Sequence, residues 1–123
     1  MKNMIFGLLL FVVTLSVSAQ GSSDSEQAKP KKNKNAKYTI EVNGNCEQCK
    51  KRIEKAAFSV PGVKSAVWSI ETHKLDLILN EEKASISDVK NAIVKVGHDV
   101  DDIKAAKENY DALHSCCQYE RKP

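Results

Sequence analysis

The sequence has no apolar run long enough to form a membrane-spanning helix. Its longest run covers residues 5–13, interrupted only by Gly7, whereas a spanning helix needs about 20 predominantly apolar residues. Thr14 and Ser16 dilute the run immediately afterwards. We therefore expect no transmembrane anchor.

The first nineteen residues have the pattern of a cleaved secretory signal. Lys2 supplies a positive start before the apolar run, and Val17-Ser18-Ala19 has the small-x-small pattern of a signal-peptidase site. No cysteine stands at the cleavage point, so lipid anchoring is not expected either. The sequence predicts a signal peptide at residues 1–19 and an exported, periplasmic protein that meets a membrane only through its export signal.

Large apolar residues are also missing from the next segment, residues 20–36. A segment without them cannot bury a core, so this part is predicted to be a flexible, lysine-rich leader. From Tyr38 onward the chain has 13 Lys and Arg against 14 Asp and Glu, so the net charge of +3 comes from the residues before it. A nearly neutral folded part attracts phosphate backbones weakly, and we expect no nucleic-acid partner.

The apolar residues that are present follow patterns typical of strands and helices. Period-two alternation predicts strands, and apolar residues three or four apart predict amphipathic helices. Asn45 and Gln48 form a predicted capping pair for the first helix, and Gly97 ends the second. The predicted elements are a strand at 38–42, a helix at 45–60, strands at 63–70 and 75–79, a helix at 87–96, a short strand at 100–103 and a helical tail at 104–114.

The order β-α-β-β-α-β is the split βαβ or ferredoxin-like arrangement. It predicts an α+β sandwich in which helices cover one face of a four-stranded antiparallel sheet. We expect the domain at residues 37–105 and a short helical, cysteine-containing tail at residues 106–123. The stripes formed by Trp68 and by Leu75, Leu77 and Leu79 are predicted to lie in the core rather than around a ligand.

Two of the four cysteines lie where the first strand turns into the first helix. Cys46 and Cys49 are three residues apart there, at a corner expected to be exposed. The N-terminal end of a helix stabilises a thiolate, which is the form that binds metal or attacks a disulfide. Two thiolates at this spacing suit a soft ion such as Cu(I), and also accept Zn, Cd or Hg. A metal clamp, a redox couple and a structural disulfide all remain open on the spacing alone.

The residues around this loop resemble the heavy-metal-associated domain family, which includes copper chaperones and the amino-terminal modules of metal-transporting ATPases. The resemblance covers about residues 36–105 and rests on Val42, Gly44, Cys46, Cys49, Ala56-Ala57, Pro61-Gly62-Val63, Ala66-Val67-Trp68 and Val96-Gly97-His98. It implies that Cys46 and Cys49 bind monovalent copper or a similar soft ion and pass it on by ligand exchange. A metal-transporting or efflux protein is the partner that the resemblance implies.

The loop departs from the family pattern in one respect. Family members usually have Gly-Met-x-Cys-x-x-Cys, whereas this chain has Gly44-Asn45-Cys46-Glu47-Gln48-Cys49, without the methionine and one residue shorter. That methionine normally packs beneath the loop. Its absence leaves the expected fold intact and the identity of the metal open.

Four further side chains are candidate ligands. Some family members place a His, Tyr or Lys beside the metal at the corner where His98 stands, and an exposed loop histidine is the competing interpretation. His114, Cys116 and Cys117 lie beyond the family's boundary. Adjacent cysteines rarely pair with each other, so an accessory metal site, disulfides to the loop and a disulfide to a partner chain are all open.

The length of the tail permits it to reach the loop cysteines. About thirteen residues separate the last predicted strand from Cys116, enough to cross a small domain at ~1.5 Å per helical residue. A shared site would give the ion a third or fourth thiolate and shift its preference from two-coordinate copper toward zinc or cadmium. A separate site made by His114, Cys116 and Cys117 is the alternative.

Taken together, these patterns predict an exported protein that carries or buffers a soft metal, with Cu(I) favoured, and no enzymatic activity. A thiol–disulfide oxidoreductase using Cys46 and Cys49 is the main alternative, although the chain lacks the thioredoxin-type aromatic and proline surroundings. A disulfide-stapled interaction domain without metal is a further alternative.

The export signal leads to a prediction about the mature protein. Cleavage after Ala19 should leave Gln20 as the first residue, because signal peptidase cuts after a small-x-small site. Amino-terminal sequencing of the exported protein measures this directly. An exported chain that still begins at Met1 or Lys2 would contradict it.

Overall fold

The computed structural model describes residues 31–121. The predicted signal peptide, the first part of the leader and the last two residues lie outside this range. The elements are β1 (Ala36–Glu41), α1 (Glu47–Phe58), β2 (Val63–Trp68), β3 (Lys74–Leu79), α2 (Ile86–Lys95), α3 (Lys107–Asp111) and a 3-10 turn (Ser115–Cys117). Across residues 31–121, none of the helices has the length and apolar character needed to cross a membrane.

Three strands form one antiparallel sheet in the order β1-β3-β2. The central strand β3 pairs its Leu77 with Tyr38 on one side and with Ala66 on the other. Because side chains alternate along a strand, Leu75, Leu77 and Leu79 share one face, and none is more than 1% exposed. The leucine stripe predicted from the sequence is the core side of this sheet.

The two longer helices bury the faces that the apolar spacing predicted. The first packs against β2 and the second helix. Cys49, Ile53, Ala56 and Ala57 are the buried residues of α1, and Val89 and Ile93 are those of α2. These positions recur three or four residues apart, the period of a single helix face. The prediction of a ferredoxin-like α+β fold is confirmed.

The ends of α2 are set by local chemistry. Ser85 and Asp88 form a capping box, in which each side chain accepts the other residue's backbone N–H. The helix ends before Gly97, whose φ of +102° lies in the left-handed region that favours glycine. A Cβ at Gly97 would lie 2.6 Å from the carbonyl oxygen of Asn109 in α3. Glycine at this position therefore ends the helix and also lets the tail approach it.

The fourth strand predicted at residues 100–103 is not formed as a strand. Val100 makes one antiparallel bridge to Val42 and another to Ile103, and Val100 and Ile103 exchange both backbone hydrogen bonds. Asp101 has a φ of 48°, which closes a tight turn instead of extending the chain. Aspartate is a poor strand residue. The pair Asp101-Asp102 therefore limits this segment to a single bridge with the first strand's side of the sheet, between Val100 and Val42.

The cap of α1 and the extent of the tail helix also differ from the predictions. The residue that caps α1 is Cys46, whose Sγ accepts the Cys49 N–H, and not Asn45. The tail helix spans Lys107–Asp111 instead of residues 104–114, because Ala106 has extended backbone angles (φ −59°, ψ 144°) and offers no side-chain cap. Leu113 is nevertheless buried, so the tail packs on the domain as predicted.

Leu77 on the central strand provides a test of the core. Leu77→Ala should lower the free energy of unfolding by about 2–5 kcal/mol, because it leaves a cavity among buried side chains. Val67→Ala on β2, at a position 56% exposed, is the control and should cost less than about 1 kcal/mol. Urea denaturation of the reduced protein measures both. Equal losses in the two variants would contradict this assignment of the core.

Candidate metal centre

The first pair of cysteines is built on the start of α1. Cys46 is the N-cap and Cys49 lies in the first turn, which brings their Sγ atoms to 3.1 Å. The backbone N–H of Cys49 donates to Cys46 Sγ at 3.4 Å, so one of the otherwise unpaired donors of the helix start points at that sulfur. The three-residue spacing at a helix start therefore places both thiols at one corner.

The loop before this corner packs directly on Trp68. The indole N–H of Trp68 donates to the carbonyl of Val42 at 3.0 Å, and Trp68 is only 1% exposed. A Cβ on Gly44 would lie 3.0 Å from Cys49 Cβ and 3.1 Å from the indole ring. Glycine allows this close approach, and the ring supports the thiol loop from the core side.

The tail brings the other two cysteines to the same corner. Cys117 Sγ lies 3.1 Å and Cys116 Sγ 3.8 Å from Cys46 Sγ, and the two tail sulfurs are 3.9 Å apart. All four cysteines are free thiols. Cys46 contacts each of the other three, so the structure joins loop and tail cysteines into one group, one of the two arrangements that the sequence left open.

The four thiols differ in exposure. Cys49 and Cys117 are fully buried, Cys46 is half-buried and Cys116 is exposed. The expectation that both loop thiols are exposed is therefore wrong for Cys49. Ile53 stands four positions after Cys49, so both lie on the core face of α1, whereas the N-cap Cys46 lies ahead of the first turn.

Burial and hydrogen bonding give Cys46, Cys49 and Cys116 different pKa values. Burial opposes ionisation of Cys46, but hydrogen bonds with the thiols of Cys49 and Cys117 and from the Cys49 N–H outweigh it and lower its pKa to about 7. Burial raises the pKa of Cys49 to about 12. Desolvation and hydrogen bonding to its two neighbouring thiols raise the pKa of Cys116 to about 11. As the pH rises toward neutral, Cys46 therefore ionises before Cys49 and Cys116.

The chemistry of soft metals fits this set of donors. Thiolates select Cu(I) and zinc over hard cations. Four sulfurs at about 2.3 Å from one ion would be about 3.8 Å apart. Cys116 Sγ lies 3.8 Å from Cys46 Sγ and 3.9 Å from Cys117 Sγ, whereas Cys46 Sγ lies 3.1 Å from both Cys49 Sγ and Cys117 Sγ. Within residues 31–121, the sulfurs of Cys46, Cys116 and Cys117 form a potential ligand group in which all lie within 4.8 Å of one another. Cys49 Sγ contacts Cys46 at the edge of this group, so a four-sulfur site requires Cys49 to move closer to Cys116.

His98 is not part of that ligand group. It is completely buried, so the interpretation as an exposed loop histidine is wrong, and burial lowers its pKa. Its Nδ1 lies 2.7 Å from the carbonyl oxygen of Asn43, and its ring stacks on Tyr119 at 5.6 Å between centroids. Its Nε2 has no hydrogen-bond partner in the described part of the chain. The side chain therefore packs between the loop and the tail.

His114 is also absent from the sulfur group. It is exposed and lines a groove on α1 together with Gln48, Lys51 and Arg52. The 3-10 turn that follows it places Cys116 and Cys117 beside Cys46. The structure therefore groups Cys116 and Cys117 with Cys46, and not with His114 as in the alternative of a separate tail site.

Three residues that hold the tail in place were missed by sequence reasoning. Arg121 forms two hydrogen bonds with the Asp99 carboxylate, at 2.8 and 3.2 Å, and donates to the carbonyl of Ala105. The hydroxyl of Tyr119 accepts the Asp99 N–H at 2.8 Å and donates to the carbonyl of Gly97 at 2.9 Å. No periodic pattern marks these contacts, because they join residues about twenty positions apart through single side chains.

Comparison with known proteins finds relatives for the middle of the chain. The sequence model described as "Heavy-metal-associated domain" matches residues 39–99. The chain is 32% identical over 63 residues to the copper chaperone CopZ of Bacillus subtilis strain 168, covering 50% of this chain and 91% of that protein. It is 33% identical over 66 residues to the copper chaperone CopZ of Staphylococcus saprophyticus, covering 53% and 97%.

Solved structures show the same likeness. The structure described as "CopZ metallochaperone" superposes with a TM-score of 0.51 at 30% identity, covering 53% of this chain and 98% of that one. The N-terminal domain of a potential copper-translocating P-type ATPase from Bacillus subtilis, in its Cu(I)-loaded state, gives 0.52 at 29% identity, covering 55% and 85%. The matched family region ends at residue 99, so the tail that carries Cys116 and Cys117 lies outside it.

The lowered pKa of Cys46 predicts selective alkylation. The thiolate is the nucleophile and its population rises with pH, so iodoacetamide should modify Cys46 first, at half its maximal rate near a pH of about 7. Cys49 and Cys116, whose pKa values are raised, should react more slowly. Peptide mapping by mass spectrometry of the reduced, metal-free protein measures each site.

The same protein unfolded in guanidinium chloride is the control. There all four thiols should react alike, with an ordinary pKa of about 8.5. Folded protein in which the exposed Cys116 reacts before Cys46 would contradict the assignment of the acidic thiol.

Proposed function

Because the chain belongs to the heavy-metal-associated domain family, we propose that it carries or buffers a soft metal ion, Cu(I) in the first place. The ion is the protein's cargo, held by Cys46 and Cys49 and passed on by exchange of thiolate ligands. The proposal assigns no catalytic role to any residue.

The observation that supports this proposal is the pair of thiols at the start of α1. Their Sγ atoms are 3.1 Å apart, and the pKa of Cys46 is lowered to about 7. A thiolate is therefore available near neutral pH, and thiolates are the ligands that select monovalent copper. An ion held by few ligands keeps positions at which another thiolate can attack, which is what transfer between proteins requires.

The relatives support copper as the first ion to test. The two curated relatives described above are named copper chaperones, and a solved structure at 29% identity is a domain of a potential copper-translocating ATPase. We infer that the recipient or donor of the ion is a metal-transporting or efflux protein. Zinc, cadmium and mercury are further candidate cargoes because they also accept thiolate ligands.

Location outside the cytoplasm is part of the proposal and rests on the signal sequence. Val17-Ser18-Ala19 supplies the cleavage site. An oxidising compartment converts free thiols to disulfides unless a metal or a reductant protects them. In such a compartment a bound ion would also keep Cys46 and Cys49 reduced.

Substitution of the loop cysteines tests the proposal. Cys46→Ser and Cys49→Ser should each weaken Cu(I) binding by more than about 100-fold, because removal of a ligand costs at least as much as loss of a supporting residue. Competition with a Cu(I) chelator under anaerobic conditions measures the affinity. Since Cys49 is buried, urea denaturation must show that its variant is folded, and Cys49→Ala provides a second, apolar replacement.

Glu47→Ser is the matched control, since Glu47 is exposed in the same helical turn and carries no thiol. Its affinity for Cu(I) should stay within about threefold of the wild type, a difference of less than 1 kcal/mol. Wild-type affinity in both cysteine variants would refute the loop as the copper site. Efficient turnover of a disulfide substrate by the wild type would instead favour the oxidoreductase alternative.

A further inference from the structure

The tail returns to the thiol loop along a defined path. Cys117 is fully buried, and its Sγ lies 3.1 Å from that of Cys46. Exposed Cys116 lies beside it, with its Sγ 3.8 Å from Cys46 and 3.4 Å from the side-chain oxygen of Gln48. The 3-10 turn Ser115–Cys117 thus presents two adjacent thiols to the first turn of α1.

The tail is fixed immediately after these thiols. Tyr119 is 4% exposed, and its hydroxyl joins the backbone of Gly97 and Asp99. Two residues of chain span at most about 7 Å, so an anchored Tyr119 restricts Cys117 to the neighbourhood of the loop. Arg121 adds a second attachment, through its two hydrogen bonds to Asp99.

The ion pair between Arg121 and Asp99 is largely buried and well hydrogen-bonded. The carboxylate of Asp99 is only 5% exposed, and besides Arg121 it accepts the Ala105 N–H at 2.8 Å. A buried ion pair stabilises a structure only when its hydrogen bonds are satisfied. Both carboxylate oxygens of Asp99 accept hydrogen bonds. The tyrosine rings of Tyr110 and Tyr119 pack edge to face at 5.1 Å, and the Arg121 guanidinium lies 4.9 Å from the Tyr110 ring.

We propose that the anchored tail supplies Cys116 and Cys117 as third and fourth thiolates, which close the loop site around a tetrahedral ion of the Zn²⁺ or Cd²⁺ type. Tyr119 and Arg121 are the positioning residues of this site. The inference rests on the proposed function, because Cys46 and Cys49 supply the other two ligands.

A closed site changes which ion is preferred. Structural zinc normally takes four ligands in a tetrahedron, and the loop alone supplies two. The tail is part of the same chain, so its thiols bind intramolecularly, a form of multivalency that raises affinity by about 10²–10⁴. The gain is larger for Zn²⁺ than for Cu(I), because monovalent copper accepts fewer ligands.

Substitution of the tail cysteines tests the ligand set. In the reduced protein, Cys116→Ser/Cys117→Ser should lower the affinity for Zn²⁺ by about 100-fold or more and reduce the ratio of Zn²⁺ to Cu(I) affinity. X-ray absorption of the zinc-loaded protein should count about four sulfur ligands in the wild type and about two in the variant. Competition with a zinc chelator measures the affinities.

Substitution of the anchor tests the positioning role. Arg121→Gln should speed release of Zn²⁺ to a chelating dye by about tenfold, the scale on which supporting residues act, and lower the sulfur count. Arg121→Lys keeps the charge but not the two-pronged geometry, and should recover part of the loss. Lys107→Gln is the matched control, because it removes a tail cation whose only ion pair in the described chain, with Asp111, stays within the tail.

The outcomes separate this inference from the function on which it rests. An unchanged sulfur count and zinc affinity in the tail variant, while Cys46→Ser still loses Cu(I), would overturn the inference alone. Wild-type Cu(I) affinity in both Cys46→Ser and Cys49→Ser would overturn the proposed function instead. Equal effects of Arg121→Gln and Lys107→Gln on zinc release would also overturn the inference. So would a disulfide between a loop cysteine and a tail cysteine that survives treatment with a reductant and zinc.

Discussion

The two pairs of cysteines are held relative to each other through one short corner, residues 97–99. The carbonyl of Asp99 accepts the Asn43 N–H at 2.9 Å, and the His98 ring meets the Asn43 carbonyl at 2.7 Å, so the corner holds the chain just ahead of Cys46. On its other side the corner binds Tyr119 through two hydrogen bonds to the hydroxyl. Loop and tail thus share one support, and the distances between their sulfurs depend on it.

This support is polar and buried, so it is stable only while its hydrogen bonds are complete. Burial opposes ionisation of Asp99, but hydrogen bonds from Arg121 and the Ala105 N–H outweigh it and hold the pKa of Asp99 below its ordinary value. Burial lowers the pKa of His98, which favours the neutral ring that stacks on Tyr119. An aliphatic residue at Asp99 would leave the Ala105 N–H and the Arg121 guanidinium without their acceptor, and one at His98 would leave the Asn43 carbonyl without the ring nitrogen that it meets. Such losses cost about 1–3 kcal/mol each.

A metal carrier must both release its ion and retain it, and these two requirements oppose each other. In our proposal, release starts from an ion with few ligands at the start of α1, where Cys46 is half-buried and Cys49 is buried behind it. Retention requires more ligands and less solvent, and in our proposal the tail provides both through Cys116 and Cys117. The tail is attached by side chains rather than by a sheet or a long helix, and its Leu113, Cys117 and Tyr119 are part of the domain's buried cluster.

Local patterns in the sequence determined the order of the elements, the leucine face of β3 and the position of the first two thiols at a helix start, because alternation, helical spacing and capping are properties of neighbouring residues. The turn at Asp101, the burial of Cys49 and His98, and the return of the tail were decided only by the tertiary structure. Cys46 and Cys117 are 71 residues apart in the chain yet 3.1 Å apart in space. The tail that makes this contact is held by Arg121, Tyr119 and Asp99, and single long-range contacts leave no periodic trace in a sequence.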